Sequence, residues 1–333
     1  MTTKTPLRLC VLESADAPGS PFLGLDPACD PAPHLAGHHV EHHVLHKATS
    51  AGEVRALAAR GFDVFINLCD GARDEERAGL EVIHALEELG AAYTGAGPAF
   101  YEPSRAWQKE RAREAGIDAP RGVLVQGEAG LEGALSALAF PLLVKHPESY
   151  GSIGMTKCSQ VENAAALRSE CERMIARFGG ALVEEFIVGR EFTVLVAEDA
   201  AGGPPCAYAP VECAFPPGET FKHFELKWID YAGLRWLPVD DRALSKRLRE
   251  AGARVFSAMS GEGYGRCDLR LTADGRIFFL EMNANCGLFY PRETAGSADE
   301  ILLADPGGYP AFLERIIALA LTRRHAGAAA RGL

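Results

Sequence analysis

The chain has 333 residues, which at a usual domain size of about 150 gives two or three domains. Apolar residues at 47% and charged residues at 24% exclude a disordered chain. With 34 Lys+Arg against 45 Asp+Glu the formal charge is −11, the wrong sign for a protein held by phosphate backbones or anionic lipid.

No apolar run reaches the roughly 18 to 20 residues that cross a bilayer. The start, Met1-Thr2-Thr3-Lys4-Thr5-Pro6, has no hydrophobic secretory segment. Nine cysteines, an odd number without a C-x-x-C pair, suit reduced thiols better than a disulfide frame or a zinc ribbon. A cytoplasmic location is expected, with neither nucleic acid nor membrane as partner.

In chain order, Leu7 to Leu12 reads as a first strand, followed by a Pro/Gly/Asp-rich loop from Asp16 to Pro33. Six histidines fall at 34, 38, 39, 42, 43 and 46, around the β-type residues Val40, Val44 and Leu45. They read as a solvated strand edge, with zinc through the i,i+4 spacing as the alternative. Gly61 to Leu68 has the apolar run of a buried strand, and a helix is expected between Asp74 and Gly90, with acids 74–76 in its first turn. That alternation predicts a parallel sheet flanked by helices, and Gly95-Ala96-Gly97-Pro98 closes the unit. A second unit holds a helix from Ser104 to Ala115, strands at 121–125 and 141–145, and a helix from Asn163 to Phe178 stopped by Gly179-Gly180. The third opens with strands at 181–188 and 191–197. It continues with a helix from Asp241 to Ser260, a hairpin from Gly265 to Asn283 and a last helix from Tyr309 to Leu321, leaving a fraying tail from Arg323.

The hairpin carries the most information. Asp274-Gly275 between β-type runs predicts a two-residue turn. Counting outward sets Ala273 opposite Arg276, Asp268 opposite Glu281 and Arg266 opposite Asn283, so that Arg266, Asp268, Glu281 and Asn283 share one face. Facing carboxylates repel. They are either solvated or paired with Arg266 and Arg270, or they hold a hard divalent cation together with the amide oxygen. The apolar flanks and the third oxygen ligand favour the cation.

Lys145 ends the apolar strand 141–144, and Tyr150-Gly151-Ser152-Ile153-Gly154 follows as a loop whose N–H groups can close on phosphate oxygens. Neither a Walker A nor a Rossmann glycine pattern occurs. Alone, such a Lys and loop read more readily as an ordinary surface turn. Cys286 has no histidine near it in sequence to serve as base and reads as a pocket-lining thiol.

Phe140 to Lys145, Gly151 to Met155, Val183 to Val194, Gly265 to Asp268 and Leu280 to Asn283 stand in the order and spacing of a known group. On these segments the chain resembles the ATP-grasp superfamily, and most closely its D-alanine–D-alanine ligase family. The resemblance implies an α/β chain with an ATP-grasp fold: an N-terminal parallel α/β domain (1–98), a central ATP-grasp subdomain (99–181) and a C-terminal one (182–333), the last two α+β and clamping ATP. It implies that Arg105 and Lys145 meet the phosphates, with Ser152 on the loop above them. Glu184 and the main chain of Glu185 and Ile187 would meet adenine, and Glu191 the ribose. Lys227 would reach the terminal phosphate, Arg266 would stabilise developing charge, and Asp268, Glu281 and Asn283 would carry Mg²⁺ or Mn²⁺.

The implied chemistry is formation of an acyl phosphate from a carboxylate and ATP, then attack by an amine. Small-molecule carboxylates and amines are the implied partners, and a homodimer is common in the family. Three segments depart from its pattern. Glu13-Ser14-Ala15-Asp16-Ala17-Pro18-Gly19 replaces a Gly-Gly-x-Ser-x-Glu, Tyr150-Gly151-Ser152 loses one hydroxyl, and Cys286 to Arg292 replaces a Pro-Gly-Met-Thr type segment. Gly287 and Arg292 fall in this last segment, with Arg292 where the family offers a serine to a substrate carboxylate. The expectation is therefore an amino acid joined to another amine. D-alanine–D-alanine ligation with a divergent pocket and a non-catalytic ATP-binding regulator are the alternatives.

Overall fold

The computed structural model describes residues 5–16, 18–20, 22–73, 75–148, 151–229 and 233–330, the last six by backbone alone. Asp74 and Tyr150, named above, lie outside the described residues, as does Ala17.

A parallel sheet begins the chain. Its central strand Arg8–Ser14 lies between the edge strand His39–Leu45 and Val64–Asn67. Leu9 to Leu12 are buried on both faces, as in a sheet covered on both sides. Helices Ser50–Ala58 and Leu80–Glu88 cover one face through Val54, Leu57, Val82, Ile83 and Leu86. The other face is covered from the far end of the sequence. Phe312, Leu313 and Ile316 of helix Gly308–Ala330 pack on Leu9, Val11 and Ile66. That helix runs well past Leu321, so residues 323–330 are not a frayed tail. The helix expected from Asp74 starts only at Leu80, because Gly79 is held in a backbone bridge to Gly71.

The second sheet is antiparallel, in the order Gly122–Val125, Ala181–Glu185, Leu142–Lys145, Gln160–Val161. Helices Glu128–Ala137 and Ala164–Phe178 close its core. Asn163 caps the longer helix by accepting from Ala166 N, and Gly179 ends it at φ 75°. Ala181–Glu185, expected to open the third unit, is thus an inner strand of the second sheet. A boundary at 181/182 falls inside it.

The third sheet runs Arg235–Pro238, Val211–Ala214, Arg190–Ala197, Tyr264–Leu271, Ile277–Ala284, with Cys206–Ala207 beside Arg190–Ala197. Helix Arg242–Ala258, capped by Asp241, buries Leu248, Val255 and Phe256 against it. Helix Arg105–Glu114 also belongs to this body: Gln108 Oε1 accepts from Met282 N at 2.8 Å. No described helix is long and apolar enough to cross a membrane.

Candidate active site

Asp268 pairs with Glu281 and Arg266 with Asn283, as the outward count from the turn requires, yet the turn itself is different. Gly275 N donates to Thr272 O at 2.9 Å and Thr272 N to Arg276 O at 3.0 Å, which closes a three-residue loop over Ala273, Asp274 and Gly275. Gly275 has φ 85°, the left-handed conformation that such loops place at their last residue. Near the tip, therefore, Leu271 faces Ile277 and Leu269 faces Phe279, one residue out of the expected register. A β-bulge between Asp268 and Leu269, with Leu280 as the extra residue, restores it. The bulge decides the chemistry. Phe279 is fully buried, and strict alternation would drive Glu281 into the same core.

The four polar residues consequently face one cleft. Thr193 Oγ1 donates to Asp268 Oδ1 at 2.9 Å, and the Arg266 guanidinium reaches both Asp268 oxygens at 3.2 and 3.0 Å. Asn283 Nδ2 stands 3.4 Å from Asp268 Oδ2, and Arg105 NH1 donates to Glu281 Oε2 at 2.7 Å. Arg105 is the first residue of its helix, held there by Ser104, whose hydroxyl accepts from Trp107 N. One turn on, Lys109 pairs with Glu184, whose other oxygen is 2.9 Å from Lys145 Nζ. Glu191 is clamped by Lys222 at 2.7 Å and by Arg270 at 2.9 Å. Arg270 NH1 also donates to the Ile187 carbonyl at 2.8 Å, while Glu185 grips Arg121.

These ion pairs set the charge states. Burial opposes ionisation of Glu191, but Lys222 and Arg270 pull its carboxyl down to about 2. Burial likewise opposes Glu281, and Arg105, Lys145, Arg266 and Lys227 hold it well below the usual range. Lys145 moves the other way: burial, with Arg105 beside it, pulls its ammonium down to about 8. Lys227 is lowered to about 8 by burial and by Arg266 and Lys222.

Two chambers meet at Gly151, Lys222, Lys227 and Arg266. The smaller, about 90 Å³, is lined by Arg105, Lys145, Ser152, Glu184, Glu185, Ile187, Glu191, Asp268 and Glu281 in addition to the shared residues. The larger, about 260 Å³, takes Asn283 and Gly287 into its wall. Every site residue named from the sequence thus lines one chamber or the other, except one. Arg292 lies in the short turn Arg292–Thr294, largely exposed and bonded to Glu300 at 2.7 Å. The turn directs it outward, and Thr294, Gly296 and Ser297 line the chamber instead.

Ser152, at φ 61°, donates its hydroxyl to Lys222 O at 2.7 Å. Beside it Trp228 Nε1 donates to Gly151 O at 2.8 Å, and Phe22 from the first loop packs 4.7 Å from the Trp228 ring. The glycine loop, the Lys227 helix Phe224–Trp228 and the N-terminal loop are joined there by that hydrogen bond and by Phe22 packing on Trp228 and Phe224.

Sequence reasoning passed over Lys109, Lys222 and Thr193, and saw Arg270 only as a partner for a solvated hairpin. Two had a usable signal: Lys109 is at i+4 from Arg105, and Arg270 is two residues past Asp268 on the same strand face. Cys286 lines the larger chamber, its thiol pushed up to about 12 by burial. The histidine segment forms the sheet edge His39–Leu45, with His34 stacked on Tyr309. Among the described residues no three His, Cys, Asp or Glu cluster to hold a metal. Asp268, Glu281 and Asn283 instead offer two carboxylates and an amide, hard oxygen donors that suit a small divalent cation.

A parallel α/β unit followed by two antiparallel sheets that enclose a cation-lined cleft is the arrangement of an ATP-grasp protein. Two solved structures share it: the D-alanine–D-alanine ligase from Bacillus anthracis complexed with ATP (TM-score 0.71, 19% identity, 97% of this chain and 100% of that one), and the VanG D-Ala:D-Ser ligase from Enterococcus faecalis (TM-score 0.69, 15% identity, 95% and 99%). The family model described as D-ala D-ala ligase C-terminus matches residues 124–293. The D-alanine–D-alanine ligase of Aromatoleum aromaticum is 33% identical over 247 residues, 71% of this chain and 73% of that protein. That of Pseudomonas fluorescens is 31% identical over 223 residues, 66% of this chain. The chain belongs to the D-alanine–D-alanine ligase family. It spans 63% of the length of the Pseudomonas fluorescens protein and 51% of that of Kineococcus radiotolerans.

Proposed function

We propose that this chain is an ATP-dependent carboxylate–amine ligase that joins an amino acid to an amino acid or another amine through an acyl phosphate. One observation carries the reading: a bulged hairpin turns Arg266, Asp268, Glu281 and Asn283 into a cleft where two chambers meet beside Lys222 and Lys227.

In this reading the smaller chamber takes ATP. Lys145, Arg105 and Lys227 neutralise the triphosphate, and Ser152 orders the loop above it through the Lys222 carbonyl. A substrate carboxylate oxygen attacks the γ-phosphorus, the bond to the β-phosphate oxygen breaks, and ADP leaves. The amine nitrogen then attacks the acyl carbon, phosphate departs with the bonding pair, and the nitrogen gives up a proton. Arg266, always protonated, faces the oxygens that gather charge in both steps. Asp268, Glu281 and Asn283 would hold Mg²⁺ or Mn²⁺, which supplies charge neutralisation at the phosphates when bound. The contact of Phe22, Gly151 and Trp228 keeps water from the acyl phosphate.

The test is to mix the protein with Mg-ATP, hydroxylamine and a broad panel of acids. ADP and a hydroxamate are expected with at least one acid, and none with any acid defeats the proposal. D-Alanine–D-alanine ligation is the second reading, favoured by the names of the relatives. ADP release driven by D-alanine and by little else would establish it.

A further inference from the structure

The larger chamber is built for more than a methyl group, and its far wall carries charge that the chain leaves uncompensated. Arg77 lies between two acids, NH1 at 3.0 Å from Asp26 Oδ2 and NH2 at 2.7 Å from Asp70 Oδ1. Tyr290 donates its hydroxyl to Asp26 Oδ1 at 2.9 Å. One guanidinium therefore answers two carboxylates. Burial pushes the Asp70 carboxyl up to about 7, and Asp26 and Glu75 add to the rise against the pull of Arg77.

The same wall holds polar atoms with nothing to bind. Asn285 is 2% exposed and uses its Oδ1 to accept from Ala96 N at 2.8 Å, but its Nδ2 has no partner. Arg77 Nε is unpartnered as well. Buried donors of this kind are rarely left unsatisfied without a ligand or water to take them. The side wall is apolar and aromatic: Phe22, Leu25, Trp228, Leu234 and Trp236 line it.

Resting on the ligase reading above, we propose that this chamber binds an amino acid with a large apolar or aromatic side chain in preference to alanine. Its ammonium faces Asp26 and Asp70 and supplies the missing positive charge. Its side chain lies on Phe22, Trp228 and Trp236. The loop that follows the departing segment Glu13 to Gly19 supplies both Phe22 and Asp26 and so sets this preference.

Two measurements separate the claim from the ligase reading. Tryptophan fluorescence is titrated with D- and L-phenylalanine, leucine and alanine, since Trp228 and Trp236 line the chamber. ADP release is followed with the same panel and Mg-ATP. Phenylalanine or leucine should quench, and should drive ADP release at a KM at least tenfold below that of alanine. Trp236→Ala should remove that tenfold preference. Asp70→Asn should raise KM about tenfold for every amino acid with little change in kcat, and Phe22→Ala is read only if its circular dichroism is native. Large amino acids that quench, with no ADP released by them or by any acid of the hydroxylamine panel, would leave this chamber assignment standing and overturn the ligase reading. Alanine as the best ligand, or a preference unchanged in Trp236→Ala, overturns the inference whatever the turnover.

Discussion

Gly151→Ala is the substitution whose effect can be worked most directly from the structure. Gly151 has φ 65°, and an added Cβ would lie 2.5 Å from Phe22 Cζ and 2.9 Å from Cε1. Alanine in the left-handed region costs about 1 kcal/mol. The Phe22 ring must also retreat from Trp228, now 4.7 Å away, which forfeits about 1 kcal/mol of aromatic pairing. Both penalties fall on the closed arrangement of the glycine loop, so about 2 kcal/mol should lower its population roughly 30-fold. The expected result is a fall of that order in kcat/KM for ATP. A rise in ADP formed per amide made should accompany it, because water reaches the acyl phosphate. The assay measures ADP by a coupled enzyme and amide by mass, side by side. An alanine variant with native kcat/KM and native coupling would refute the reasoning, since a side chain in that place cannot be neutral if the contact seals the site.

Asp268→Asn and Glu281→Gln should each abolish Mg-ATP turnover, at least a hundredfold, while circular dichroism stays native; unchanged ADP release would remove the metal assignment. Lys145 sits near pH 8 because burial disfavours its charge. It is protonated below that value and neutral above it, so affinity for ATP without metal should fall as pH rises from 7 to 9, with proton uptake on binding near pH 8. Calorimetry in buffers of different ionisation enthalpy checks this, and equal heats across buffers would count against it. Arg292→Ala should leave KM for every substrate within twofold and stability within about 1 kcal/mol, because its pair with Glu300 is exposed; a tenfold rise in one KM would return Arg292 to the site.

The face of the hairpin was legible because two local departures cancel. The three-residue loop shifts the register by one and the Leu280 bulge shifts it back, so an ideal count lands correctly on Asp268 and Glu281. Phe279 and Met282, buried at a spacing of three rather than two, were the visible trace of the bulge. Helix Glu128–Ala137 was not legible, since Gly130 and Gly133 lower its propensity. Gly130 is there because a Cβ would stand 3.1 Å from Val125 Cα, a packing demand that no local pattern displays. Ser50–Ala58 is short, and its apolar stripe is only Val54 and Leu57. Lys222 joins the site through the fold of a long loop, where its ion pair with Glu191 places it in the cleft. Arg292 failed for the opposite reason. Position along the chain matched a relative's pattern, but the turn that carries it faces away.

The placement of helix Gly308–Ala330 bears on how this chain comes to be assembled. Leu9, Val11 and Ile66 leave the ribosome well before the side chains that shield them, Phe312, Leu313 and Ile316. Until synthesis reaches that helix the opening sheet keeps a bare apolar face, open to aggregation or to chaperones. The parallel sheet therefore matures only once that helix has been made, and losing the helix would harm the sheet as much as the region around the helix itself.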